Sequence, residues 1–170
     1  SLSHPGGNIT GIVDFHAELD PKRLELLKTA APKAMRVAVI AGQFGPPSTA
    51  IDPYRSELAS VAQALSVRLS YIDLNNPDAF EKATAAIMRD RPDALLVGST
   101  PVNFRLRKEI ADFAIAQRLP TVSAQREMAA AGILISYGAD LASNFRTAGM
   151  LAGKILSGAK PADLAVERAL

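Results

Sequence analysis

MRVAVIAG, residues 35–42, decides the fold: a run of β-branched and small apolar residues closed by a glycine. So continuous an apolar run suits a strand covered on both faces, as in a parallel sheet, rather than one with a wet side. Reading outward, four further runs of strand length follow: VRLSYID (67–73), DALLVGS (93–99), LPTVSA (119–124) and ILISY (133–137). Helical periodicity separates them, and strands alternating with helices specify βαβ units. The expectation is an α/β fold, a doubly wound five-stranded parallel sheet in the order 2-1-3-4-5 with helices on both faces.

The helices carry start signals. Asp20-Pro21 offers an acceptor at the N-cap and a preset φ at the first helical position, ahead of Leu24, Leu27 and Ala30; Asn76-Pro77 repeats the device before Phe80, Ala83 and Ile87. Asp140 is placed to cap a last helix in which Leu141, Phe145, Ala148, Ala152 and Ile155 form one stripe, ended by Gly158. That stripe reads as core. Helices over 51–65 and 102–117 complete the set. The first twenty residues, rich in Gly, His and Asn, stand outside this rhythm and read as a connecting segment with one short β-like piece.

Composition excludes several functions. The 170 residues are 48% hydrophobic, enough for one buried core. A net charge of +2 arises from 19 basic and 17 acidic residues that are interspersed, so no dedicated nucleic-acid surface is expected despite a pI near 9.0. Arg105, Arg107 and Lys108 read as ordinary solvated surface, given Glu109 and Asp112 beside them. The absence of cysteine removes disulfides and thiolate chemistry. No run approaches the length of a membrane span.

In an open parallel sheet, ligands bind beyond the carboxyl ends of the strands, where the strand order reverses. The loops there are 42–49, with Gln43 and Phe44, and 99–103, with Ser99 and Thr100; Ser123, Gln125, Arg126, Ser136 and Tyr137 adjoin them. The candidate ligand-binding residues are Gln43, Phe44, Ser99, Thr100, Gln125 and Tyr137. Structural alternatives stand beside several of these loop residues: Phe44 as a cap on the sheet edge, Ser48 or Thr49 as a helix N-cap, Arg126 as a surface partner of Glu127. Gly138 after Tyr137 is a place where backbone can approach a guest closely. Enzymatic signals are weak. AGQFGPP lacks the Lys-Ser/Thr of a phosphate loop and the glycine spacing of a dinucleotide fold. Asp14 lies two residues from His16, a spacing that could pair acid with base, but no serine elbow, cysteine or second carboxylate at a telling distance accompanies it. The two histidines, His4 and His16, make a poor metal site without a third ligand. No catalytic residue, no metal and no cofactor is expected.

HPGGNITG at the amino end, KRLELLKTAAPKAMRVAVI, DALLV, RLPTVSAQREMAAAGILISYGADL and the closing KILSGAKPADLAVE together resemble successive landmarks of one family. It is the ABC-transporter substrate-binding proteins related to tryptophan and tyrosine uptake components, which have a two-lobed type I periplasmic-binding fold. The resemblance covers essentially the whole chain and is most specific at its ends. AGQFGPPST and STPVNF depart from the stretches relatives often carry there, so a relative's solute does not transfer.

The resemblance implies capture without chemistry: a small solute, an amino acid or aromatic carboxylate among the options, held in an inter-lobe cleft in the periplasm or another extracytoplasmic compartment and passed to an ABC permease. It implies a second-lobe fragment: residues 1–18 an inter-lobe crossover, 19–162 the ligand-binding lobe, 163–170 the start of the return crossover. Membrane contact runs through the permease only. Surfaces a first lobe would cover predict a homodimer of the lobe. The alternative of another class is the ligand-sensing core of a transcription regulator, which shares the fold.

Overall fold

The computed structural model describes residues 1–13, 17–41 and 53–168. Strands are β1 (Ile12–Val13), β2 (Arg36–Ala41), β3 (Arg68–Asp73), β4 (Ala94–Val97), β5 (Thr121–Ser123), β6 (Ile135–Ser136) and β7 (Glu167–Arg168). Helices are α1 (Asp20–Ala30), α2 (Pro53–Ala64), α3 (Phe80–Asp90), α4 (Pro101–Arg105), α5 (Arg107–Ala116), α6 (Arg126–Ala131) and α7 (Leu141–Leu156). They form two compact units, His16–Gly138 and Ser1–Phe15 with Ala139–Leu170.

The larger unit is the expected doubly wound sheet. Its five parallel strands run β3-β2-β4-β5-β6, which is the predicted order 2-1-3-4-5 in this numbering. Successive residues of a strand face opposite sides, and β2 divides accordingly. Ala38 and Ile40 join Leu95, Val97, Ile87, Ile110 and Met128 in one core. Val37, Val39 and Ala41 join Leu96, Leu24, Leu27 and Leu58 in the other. Thus α1 and α2 cover one face and α3, α5 and α6 the other, which is why β4 is apolar throughout and β2 is apolar after Arg36.

Local signals resolve in three ways. Asn76 accepts the Ala79 N–H at 3.0 Å and starts the turn into α3, and Asp140 accepts the Ala142 N–H at 2.9 Å. Gly158 ends α7 at φ +101°, a conformation that suits glycine. Asp20, however, is the first residue of α1 rather than its cap, and its carboxylate is engaged by Arg23 at 2.5 Å. The helix expected over 102–117 breaks at Leu106 into α4 and α5, and the six-residue α6 between β5 and β6 was not foreseen, having no side-chain cap to announce it.

The smaller unit joins the two ends of the chain. β1 and β7 pair in parallel, with Ile12 opposite Glu167; the Glu167 N–H donates to Gly11 O at 3.0 Å and the Thr10 hydroxyl to Leu164 O at 2.9 Å. α7 corrects an expectation. Of its residues only Leu151 is buried, while Phe145 is 74% exposed and Ala148, Ala152 and Ile155 are exposed too. The stripe is present, but periodicity reports which side chains share a face, not what covers that face.

At the amino ends of the strands, Asp93 ties β4 to β2. Its carboxylate accepts the Met35 and Arg36 N–H groups at 3.0 and 2.8 Å and faces the Arg36 guanidinium at 3.4 Å. The Met35 N–H first, then the Arg36 groups, hold this carboxyl below the ordinary aspartate pKa against some burial. A depressed folded-state pKa gives stability that is present above the ordinary value of about 3.9 and lost as pH falls through the folded one. Asp93→Asn should therefore cost about 1 kcal/mol near neutral pH, the value being limited by solvent screening. Urea unfolding at pH 7 and pH 3 checks this: the gap between wild type and variant shrinks at pH 3, and a gap of equal size at both would refute the assignment.

Candidate functional site

The carboxyl ends of β4, β5 and β6 carry four of the residues the sequence proposed. Ser99 follows β4 and Gln125 follows β5, on neighbouring strands, and the Gln125 side-chain Nε2 donates to the Ser99 hydroxyl at 2.5 Å. Thr100 caps α4, its hydroxyl oxygen accepting the Asn103 N–H at 3.1 Å. Thr100 thus serves the helix as its cap, with its hydroxyl proton and one lone pair left to offer elsewhere. Tyr137 lies at the β6 exit, 41% exposed, with its N–H on Ser123 O at 2.9 Å. Gln43 and Phe44, with the 42–49 loop, and Asp14 and His16 lie outside the described residues.

Three residues outside the proposed ligand set adjoin this end. Asn103 is 1% exposed and sits where the strand order reverses; its Nδ2 donates to Ile40 O at 3.1 Å and Gly98 O at 2.8 Å, joining the exits of β2 and β4. Its Oδ1 is buried and takes no hydrogen bond among the described residues. Gly98 makes this join possible, since a Cβ there would lie 3.0 Å from Ile40 O.

The second is Arg23, fully buried in α1. Its Nη1 meets Asp20 Oδ1 at 2.5 Å and its Nε donates to the Tyr137 carbonyl at 2.7 Å. A charge taken out of water is tolerated only when paired and hydrogen-bonded, and this one is spent on fixing the last strand's exit. The i, i+3 spacing of Asp20 and Arg23 was the signal for it in the sequence. Gly138 follows from the same contact: a Cβ would stand 2.8 Å from Ala124 O and 3.0 Å from Arg23 Nη2. The close approach expected at Gly138 is therefore to the protein itself.

The third is Lys22. Its ammonium, hydrogen-bonded to Glu25 at 2.7 Å, is held above its ordinary pKa by that bond and by the Glu25 charge, with the Tyr137 phenol adding a smaller contribution. Arg126 pairs on the surface with Glu127 at 3.8 Å, as its structural alternative held. Lys108 pairs with Asp112, and Arg107 stacks 5.1 Å over Phe104, so that cluster is ordinary surface. No group of His, Asp and Glu among the described residues is arranged to hold a metal ion. The arrangement offers hydroxyls, an amide and an aromatic ring, groups that bind and orient a polar guest.

A family model described as ABC transporter substrate binding protein matches residues 1–170. A tyrosine-binding protein of Clostridioides difficile (strain R20291) is 27% identical over 182 residues, covering 98% of this chain and 46% of that protein. A solved conserved domain protein from Vibrio cholerae superposes at TM-score 0.81 with 20% identity, over 100% of this chain and 55% of the other. An ABC domain from Streptococcus pneumonia in complex with L-Trp gives TM-score 0.77, 20% identity, and 99% and 56% coverage. The two structural likenesses establish the fold. This chain spans about half the length of each of these relatives.

Replacing Arg23 with Met removes the counter-ion of a buried carboxylate and should cost about 3 kcal/mol or more. Asp20→Leu combined with it should recover part of that loss. Gly138→Ala should cost about 1–3 kcal/mol through overpacking. Denaturant unfolding measures all three, and a cost below about 0.5 kcal/mol for Arg23→Met, the ordinary range for a surface site, would refute the role given to it.

Proposed function

Because the chain belongs to the ABC transporter substrate-binding protein family, we propose that it is part of the solute-binding component of a bacterial ABC importer. The component captures a small solute and delivers it to the permease from the extracytoplasmic side. The observation that carries this reading is the match of the family model over residues 1–170. The regulator alternative is not favoured, and the reading assigns no catalysis.

The sheet unit, within residues 19–162, supplies one wall of the cleft. Ser99 and Gln125 present a joined hydroxyl–amide pair, Thr100 a hydroxyl and Tyr137 a ring and phenol; Gln43 and Phe44 belong to the same proposed set. Neutral donors, acceptors and a ring suit the polar ends and side chain of an amino acid with aromatic character. The names of two relatives, one tyrosine-binding and one in complex with L-Trp, agree with that class. The parallel pairing of β1 with β7 supports reading residues 1–18 and 163–170 as two connections running side by side between lobes.

Calorimetry on the protein with both lobes tests this. L-Tryptophan, L-tyrosine and an aliphatic control are titrated, and saturable binding of an aromatic amino acid is expected. Gln125→Ala and Ser99→Ala should each weaken it about tenfold, the loss of one good hydrogen bond in a desolvated cleft. Unaltered affinity in both variants would remove this wall from the site, and turnover of any titrated compound would overturn the reading.

A further inference from the structure

The opposite end of the sheet carries a groove with no part in the reading above. It lies at the amino ends of β2 and β3, has a volume of about 760 Å³ and is lined by Lys33, Met35, Arg36, Gln63, Ser66 and Arg68 beside Val67 and Asp93. Arg36 and Arg68 are direct partners in the β2–β3 register. Like charges at adjacent positions of neighbouring strands repel, and sheets ordinarily avoid them. Here the compensation is incomplete.

Asp93 is engaged with Arg36 and with two backbone N–H groups. The nearby Asp90 carboxylate accepts the Ser70 hydroxyl at 2.6 Å. Lys33 and Arg68 are exposed, and neither has an acidic partner within ion-pair distance among the described residues. The helix macrodipole accounts for part of the cluster, since Arg36 Nη1 donates to the Asp90 carbonyl at the end of α3 at 3.4 Å and Lys33 follows the end of α1.

We propose that this groove is a binding site for a phosphate-bearing anion. Two uncompensated cations match the charge of a phosphate group, and arginine's planar fork fits its oxygens two at a time. Ser66 and Gln63 add neutral donors at the rim, and the groove exceeds a lone phosphate in size. Met35, 62% exposed, offers an apolar surface to whatever the phosphate is attached to. The groove is remote from the strand exits, so the site stands whether or not the solute-binding reading holds.

The test titrates the protein with inorganic phosphate at low ionic strength, followed by NMR, and sediments it with vesicles of phosphatidylglycerol or of phosphatidylcholine. Lys33→Gln and Arg68→Gln are compared with wild type and with Lys154→Gln, an exposed lysine of the other unit. Both positions are solvent-facing, and melting temperatures check that the variants fold. Saturable phosphate binding that either groove variant weakens about tenfold, with Lys154→Gln unchanged, supports a site for a soluble phosphate compound. Binding to phosphatidylglycerol vesicles alone, weakened by the same two variants, supports a lipid headgroup as the source. Absence of both, equal loss in all three variants, or displacement by chloride at matched ionic strength overturns the proposal.

Discussion

Arg23 stands in the interior of the sheet unit, and the way its charge is satisfied determines where the candidate site lies. Its guanidinium meets Asp20 within α1 and reaches across to the carbonyl of Tyr137, the residue that follows the two-residue edge strand β6. So short a strand, paired on one side, cannot hold its own exit. A desolvated cation beside its counter-ion has few ways to satisfy its remaining donors, so the Tyr137 carbonyl is pinned. Gly138 is then required because the same guanidinium and the Ala124 carbonyl fill the space a side chain would need. One helix residue thereby sets the position of the ring proposed to face the solute.

The two ends of the sheet divide the polar chemistry of this unit. At the carboxyl end the groups proposed to face the solute are neutral and already engaged: Gln125 with Ser99, Thr100 with the α4 backbone, beside Asn103 on two strand carbonyls. Such an end is preorganised, since its side chains have already lost their freedom before a guest arrives. At the amino end the groups are charged, and positive charge outnumbers negative around one groove. A surface of that kind favours anions over neutral solutes. The same fold therefore presents two surfaces of opposite character about one sheet's length apart.

Family and geometry contribute different parts of the functional reading. The family match covers the chain from end to end and says what kind of protein this is; the structural likenesses, at 20% identity, establish architecture. Neither assigns a residue. The proposal for Ser99, Thr100, Gln125 and Tyr137 rests on their places at the exits of neighbouring strands and on the chemistry they can offer, and the exposed face of α7 shows how far a sequence pattern can run ahead of what packs against it.

The sheet was legible in the residues from 35 to 137 because strands covered on both faces must be apolar throughout, and because Asn76-Pro77 and Asp140 cap helices through bonds that span three residues or fewer. Strand order followed from that rhythm, and with it the end of the sheet where a ligand belongs. What the linear pattern did not contain were contacts between residues far apart in the chain: Arg23 with Tyr137, Asn103 with Ile40, Arg36 beside Arg68. Those pairings exist only once the helices have docked, since burial alone turns a polar side chain from a solvated group into one that must find a partner. Local bonding and hydrophobic period wrote the architecture into the sequence, while desolvation in the folded state decided which polar residues hold it and which remain to bind.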